Sequence, residues 1–129
     1  MSSVNSPRIA AFLIDGAIAK GKAVKIGSDD QHVTPGAANT DRCIGINQSS
    51  STDTSTAEDT AEIALPGGGA KVLLGETVVA GDDLVSHTDG TLVKPNAEGD
   101  QIIARALEGG SAGELVAAEV YYATAHAAQ

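Results

Sequence analysis

The chain has 129 residues, which is enough for one domain with a hydrophobic core and too few for two domains of ordinary size. Its 17 acidic and 8 basic residues give a formal net charge of -9 without any basic cluster, which argues against a nucleic-acid partner. A single cysteine excludes an intramolecular disulfide, and the six-residue apolar run near the start is too short for a signal-peptide core or a membrane span. We therefore expect synthesis in a cytosol and no membrane partner.

The first predicted element is an N-terminal arm, residues 1–15. Residues 1–8 are mostly polar, and the apolar run that follows ends at the turn pair Asp15-Gly16, which predicts a short strand. Two interpretations remain open for the apolar side chains of this strand. They contact a neighbouring protein, by adding a strand to an exposed sheet edge, or they fill the core of the chain itself. The side chains in question are Ile9, Phe12, Leu13 and Ile14.

Short strands separated by turns follow the arm. They are predicted at 22–26, 31–34 and 42–47, and Gly45 in the last of them favours a bulge or a close backbone approach. Residues 48–60 are mostly Ser, Thr and Asp, which predicts a mobile surface loop. Beyond this loop, a hairpin is predicted from strands at 61–65 and 70–74 joined by Pro66-Gly67-Gly68-Gly69.

The remaining strands repeat the order of the first set. They are predicted at 77–79, 83–86, 91–94, 101–107 and 114–122. An offset of 60 positions aligns Gly21 with Gly81, Asp29 with Asp89, Val33 with Val93 and Pro35 with Pro95, and an offset of 57 aligns Ala61 with Ala118. We therefore expect an all-β fold, a small β-sandwich or barrel, with a single domain over 16–129. An internal duplication would divide it into about 16–65 and 76–122.

Catalytic and metal-binding chemistry has little support in the sequence. His32, His87 and His126 fall in a predicted strand, a turn and the C-terminal tail, and no nucleophile-elbow pattern surrounds any serine. Cys43 is interpreted as a small buried residue, and the pairs Asp29-Asp30 and Asp82-Asp83 as solvated turn carboxylates. We expect neither an enzyme nor a cofactor or metal site.

The order of turns and small apolar residues resembles the capsid decoration, or cement, proteins of tailed bacteriophages and prophages. The resemblance covers residues 16–122. It depends on Ala61-Glu62-Ile63-Ala64-Leu65-Pro66-Gly67, Ala80-Gly81-Asp82-Asp83-Leu84-Val85, Thr88-Asp89-Gly90, Ile102-Ile103-Ala104-Arg105-Ala106-Leu107 and Gly113-Glu114-Leu115-Val116.

The resemblance implies a small β-tulip-like protein that is made in the host cytoplasm and binds the outer surface of an assembled phage head. Its expected partners are the major capsid protein, whose neighbouring subunits it would cement, and further copies of itself. A homotrimer is favoured over a dimer. Two alternatives stay open, a structural module of a phage tail or baseplate and a small ligand-binding β protein that uses the hydroxyl-rich loop at 48–60.

Overall fold

The computed structural model describes residues 9–15, 18–49 and 60–125. These residues form two five-stranded sheets, and the all-β class predicted from the sequence is confirmed. The first sheet contains β1 (Ile9–Ile14), β2 (Ala23–Ile26), β3 (His32–Pro35), β4 (Gly45–Asn47) and β5 (Thr60–Ala64). The second contains β6 (Gly69–Leu73), β7 (Asp83–Ser86), β8 (Leu92–Val93), β9 (Gln101–Ala106) and β10 (Leu115–Thr124). No helix among the described residues has the length and apolar character needed to cross a membrane.

The first sheet closes into a small barrel with the strand order β1-β3-β2-β4-β5. β1 pairs in parallel with β3 and antiparallel with β5, which closes the barrel. Because successive side chains of a strand point to opposite faces, alternate apolar residues fill the interior. The interior side chains include Ile14, Val24, Val33 and Ile63, all fully buried.

The second sheet repeats this topology. Its strand order is β6-β10-β9-β7-β8. If five is subtracted from each strand number, this order becomes β1-β5-β4-β2-β3, which is the circular order of the first barrel read in the opposite direction. The second sheet is not closed into a barrel, but an isolated parallel bridge between Leu74 and Leu92 lies where Ile14 pairs with Val33 in the first sheet. Gly21 and Gly81, with φ of +89° and +96°, occupy equivalent turns before β2 and β7, where the left-handed backbone favours glycine.

The strand registers correct the sequence alignment of the two halves. An offset of 60 holds for β1 and β2. For example, Val24 of β2 pairs with Gly45, and Leu84, which lies 60 positions later in β7, pairs with Ala104 at the equivalent place. The turn between β2 and β3 is closed by Gly27 N–H donating to His32 O, but the later turn is closed by His87 N–H donating to Thr91 O and is one residue shorter.

Three of the predicted equivalences are therefore wrong. After the shorter turn the offset falls to 59, so Val33 is equivalent to Leu92, not to Val93, and Pro35 is equivalent to Lys94, not to Pro95. Phe12 of β1 pairs with Ala61, and Val72, its equivalent in β6, pairs with Val116. Ala61 is therefore equivalent to Val116, not to Ala118. The units run from residue 9 to 64 and from 69 to 124, so each contains one strand more than the predicted copies at 16–65 and 76–122.

The predicted hairpin between β5 and β6 is also wrong. β5 pairs with β1 and β4, whereas β6 pairs with β10, so the two strands lie in different sheets. β1, which was assigned to the N-terminal arm, takes the position beside β5; residues 1–8 of that arm lie outside the described residues. The strand predicted at 77–79 is reduced to an isolated bridge between Val78 and Gly110.

The outer face of the first unit belongs to the hydrophobic core of the second, whereas the interior of the first barrel forms a separate cluster. A row of outward-facing residues crosses the first barrel as Ala64, Ile46 and Ala23, and all three are fully buried. They pack in one cluster with inward-facing side chains of the second sheet such as Leu84 and Val120. Complete burial of a side chain the size of Ile46 contributes about 1.5–3 kcal/mol, so this row is a main source of adhesion between the units.

The fold predicts that Gly45 cannot accept a side chain. A Cβ at this position would overlap the carbonyl oxygen of Ala64 in the neighbouring strand, which is backbone and cannot move aside. We expect Gly45→Ala to lower the free energy of unfolding by about 1–3 kcal/mol, measured by urea denaturation. Gly69→Ala is the matched control, since its Cβ would lie 3.7 Å from the nearest atom, Ala118 O. Equal stability of the two variants would contradict the close approach at Gly45.

Candidate docking surfaces

The four predicted contact residues of β1 lie on two faces of one strand. Phe12 and Ile14 point into the first barrel, where Ile14 is fully buried and Phe12 packs against the core. Ile9 and Leu13 lie on the outer face, where Ile9 is 43% exposed and Leu13 is half-buried. The outer face of β1 is therefore the part of this strand that can reach a partner.

The hydroxyl-rich loop predicted at 48–60 is described only at its ends, and residues 50–59 lie outside the described residues. The side-chain amide of Gln48 donates to Lys71 O at 2.9 Å and accepts from Lys71 N–H at 3.0 Å. This pair of hydrogen bonds joins the end of β4 to β6 in the other unit. Ser49 Oγ accepts from Glu62 N–H at 2.7 Å.

A buried carboxylate joins the loops of the two units on another side. Asp100 is 1% exposed, and its Oδ1 accepts a hydrogen bond from Asn39 Nδ2 of the first unit at 2.5 Å. Its Oδ2 accepts from the N–H groups of Asn96 and Ala97 at 2.9 and 3.2 Å. Gln101 N–H donates to Asn39 O at 2.9 Å, so Asn39 is held by both its side chain and its backbone.

The hydrogen bonds of Asp100 determine its charge state. Burial raises the pKa of this carboxyl, but the hydrogen bonds from Asn39, Asn96 and Ala97 more than offset burial, and the net pKa is lowered. Asp41 is the equivalent residue of the first unit, where Ala37 N–H, Ala38 N–H and Lys25 Nζ donate to Oδ2. Its pKa is also lowered against the effect of burial.

An apolar groove lies where the two units meet. It has a volume of about 360 Å³ and lies between Ile26, Arg42 and Ile44 of the first unit and the end of β10, including Tyr122, of the second. Ile26 is 44% exposed and Tyr122 53%. Tyr122 Oη donates to Ile44 O at 3.1 Å, and burial raises the pKa of this phenol, so the hydroxyl is a neutral donor at pH 7.

A second cleft between the units is more polar. It has a volume of about 480 Å³, and its lining includes Asn39, Glu76, His87 and Lys94. Glu76 Oε2 accepts from the backbone N–H of Lys94 at 2.7 Å, which fixes the strand end beside the cleft. The lining includes charged side chains of both signs, so the cleft favours neither an anionic nor a cationic ligand.

The outer face of the second sheet carries charges where the first barrel has its buried row. Asp83, Arg105 and Glu119 are the equivalents of Ala23, Ile46 and Ala64. Arg105 Nε lies 3.6 Å from Asp83 Oδ1, and Arg105 Nη1 lies 3.9 Å from Glu119 Oε1.

Tyr121 completes this charged network. The Arg105 guanidinium lies 4.8 Å from the centre of the Tyr121 ring, and Tyr121 Oη donates to Asp83. Exposed ion pairs of this kind contribute little to stability, but they keep the face solvated.

Among the described residues, the histidines, the cysteine and the paired aspartates of the sequence analysis do not form a cluster able to hold a metal ion. His32 Nδ1 lies 2.7 Å from Asp29 Oδ1, and this hydrogen bond is the main reason that the pKa of Asp29 is lowered. Burial raises the pKa of the Cys43 thiol to about 12, which agrees with its interpretation as a small buried residue. His126 lies outside the described residues. Across residues 9–15, 18–49 and 60–125, no group of three or more His, Cys, Asp or Glu side chains is placed to hold a metal ion.

Sequence reasoning missed both the groove and the buried carboxylate. Ile26 and Tyr122 come from opposite halves of the chain, so no local pattern connects them. A signal for the carboxylate was present, because Ala38 and Asp41 have the same three-residue spacing as Ala97 and Asp100. At an offset of 59 this shared spacing marks equivalent loop turns.

The architecture defines the chain as an all-β protein of two topologically identical five-stranded units. No protein-family model matches the sequence, and no curated protein matches it. Among solved structures, the chain is similar to the N base of the head fiber protein gp8.5 of bacteriophage phi29, with a TM-score of 0.68. The match covers 92% of this chain and 98% of that one at 17% sequence identity, a level at which the likeness establishes a shared fold.

The geometry around Asp100 predicts a pH-dependent contribution to stability. Its folded-state pKa lies below the ordinary value of 3.8, so its stabilisation is present above pH 3.8 and is lost as the pH falls through the folded pKa. Asp100→Asn should lower the free energy of unfolding by about 1–3 kcal/mol at pH 7, because an amide cannot accept at both atoms. The difference from wild type should shrink when urea denaturation is repeated down to about pH 2.

The exposed neighbour Glu98 supplies the control for this experiment. Glu98→Gln should leave stability within about 0.5 kcal/mol of wild type at pH 7. A difference between Asp100→Asn and wild type that stayed constant over the acid range would show that the Asp100 carboxylate is not the group responsible.

Proposed function

We propose that this chain is a structural protein of a bacteriophage virion, which binds the outer surface of an assembled head and cements neighbouring major capsid subunits. The observation that carries the proposal is the fold shared with the base of a head fiber protein over nearly the full length of both chains. The resemblance to capsid decoration proteins in the order of turns supports it. The head location in the description of that neighbour favours a head over a tail or baseplate.

The physical properties of the chain suit attachment to a repeating surface. A net charge of -9 keeps free copies apart at long range, so short-range contacts have to supply the binding energy. In the proposed homotrimer, binding through one copy raises the effective concentration of the others at neighbouring capsid subunits. A lattice with the spacing of the expanded head would then be bound more tightly than isolated capsid protein.

The direct test is binding to heads. Purified protein is mixed with undecorated, expanded heads of the phage that encodes it, and the heads are sedimented. We expect co-sedimentation that saturates at a fixed ratio to the capsid protein and retention of the expanded shell under conditions that disrupt undecorated heads. Unexpanded heads serve as the control and should bind less. Absence of saturable binding to expanded heads would reject the proposal.

A second test concerns the outer face of β1. It examines the hypothesis that apolar residues of this strand contact a neighbouring protein. Ile9→Ser should weaken head binding while it changes the free energy of unfolding by less than about 0.5 kcal/mol, because Ile9 is exposed. Ile14→Ala should instead lower stability by about 2–5 kcal/mol, because Ile14 fills the barrel core. Val79→Ser, at a position 62% exposed in the other unit, is the matched control. If Ile9→Ser and Val79→Ser bound heads as tightly as wild type, β1 would have no contact role.

A further inference from the structure

The groove between the units contains an aromatic side chain, a residue type that is rare in this chain. Only three aromatic residues occur in the sequence. Phe12 packs against the core of the first barrel and Tyr121 takes part in the charged network, but Tyr122 lies 53% exposed at the groove. Tyrosine and arginine are the residue types most enriched where binding energy concentrates, and both Tyr122 and Arg42 line this cavity.

The shape of the cavity distinguishes it from an ordinary exposed apolar residue. Ile26, Ile44 and Tyr122 come together from the two units around a concave space of about 360 Å³. Single exposed apolar side chains are common on any protein, whereas a concave cluster of them marks a place where another molecule is buried. Leu107, although 57% exposed, is not among the residues that line this groove.

Charge then specifies the occupant further. Lys25, Lys71 and Arg105 each lie within 4.0 Å of a carboxylate, whereas Arg42 is exposed and, like Lys20, Lys22 and Lys94, forms no ion pair with any described residue. Of these four cations, only Arg42 lines the groove. In a chain with a net charge of -9, an uncompensated cation beside an apolar groove is complementary to a carboxylate on the occupant. The planar guanidinium can bind that carboxylate with two parallel hydrogen bonds.

The end of β10 suggests the conformation of the occupant. β10 continues to Thr124, but its pairing with β6 ends where Glu119 lies opposite Gly69. The next residue, Val120, hydrogen-bonds to Gly67 and Gly68 in the turn that precedes β6. Beyond that point the described strand pairs with β9 on its other side. Tyr122, Ala123 and Thr124 of this part of β10 line the groove. An extended segment is the form of chain that can hydrogen-bond to a strand with its backbone and insert a side chain beside it.

From these observations we infer that the groove lined by Ile26, Arg42, Ile44 and Tyr122 is the docking site for an extended segment of the capsid protein. The segment carries an apolar side chain next to a carboxylate. The apolar side chain enters the cavity against Tyr122 and the carboxylate pairs with Arg42. This inference rests on the proposed function and adds the site through which each copy would hold the head.

The experiment compares variants of the full chain in the head co-sedimentation assay. Tyr122→Ser and Arg42→Glu should each weaken binding at least about tenfold. Tyr122→Phe should stay within about threefold of wild type, because it keeps the ring and removes only the hydrogen bond to Ile44 O. Leu107→Ser matches Tyr122→Ser in exposure, and Lys20→Glu matches Arg42→Glu in charge change at another exposed site; both should bind as wild type. The effect of Arg42→Glu should shrink as salt is raised.

The outcomes separate this inference from the proposed function. If wild type does not bind heads, both are rejected. If wild type binds and both groove variants bind equally well, the groove is rejected and the proposed function stands. If wild type self-associates in sedimentation velocity and Tyr122→Ser and Arg42→Glu do not, the occupant is a second copy and the inference is overturned. Should Tyr122→Ser fail to fold by circular dichroism, Arg42→Glu at its exposed position decides the matter.

Discussion

The burial of the Ala23, Ile46 and Ala64 row against the second sheet is the interaction on which the rest of this structure depends. A single five-stranded unit of this size encloses few apolar side chains, and small domains bury too little surface to be stable alone. Packing the outer row of the first unit into the core of the second enlarges that core, while the interior of the first barrel remains a separate cluster. The groove and the cleft therefore lie between units that pack directly against each other.

The same row distinguishes the outer faces of the two units. Its equivalents in the second unit are Asp83, Arg105 and Glu119, which form an exposed network of ion pairs. Covering that face with an apolar surface would require its charges to lose water, which is unfavourable unless each is compensated. The three equivalent positions thus carry buried apolar residues in the first unit and solvated charged residues in the second. Among the described residues the topology is repeated, but the apolar row that joins the two units belongs to the first of them alone.

Much of the local structure was predictable, and the long-range pairing was not. Gly and Asp turns separated by apolar runs located all ten strands to within a few residues, because these signals act over short distances along the chain. One further predicted strand, at 77–79, is only an isolated bridge. The choice of partner for β5 failed because a tight turn with Gly67 favours a hairpin locally, whereas β1 offers a full five-residue pairing that only the closed barrel makes available. The repeat offset was misjudged for a related reason. Sequence identity cannot detect a turn shortened by one residue, but strand register can.

The arrangement of the groove has a consequence for how docking and stability are linked. Its walls come from both units, and their relative position is held by Asn39 with Asp100 and by Tyr122 with Ile44. A segment bound there would contact both units, so it would oppose their separation and stabilise the folded chain in proportion to its own binding energy. The seven residues that line the groove are few beside the roughly 20–30 residues that each partner contributes to a stable protein interface. Attachment through it would therefore be weak for one copy and firm only where several joined copies meet a lattice of matching spacing, which is the property a protein of an assembled shell requires.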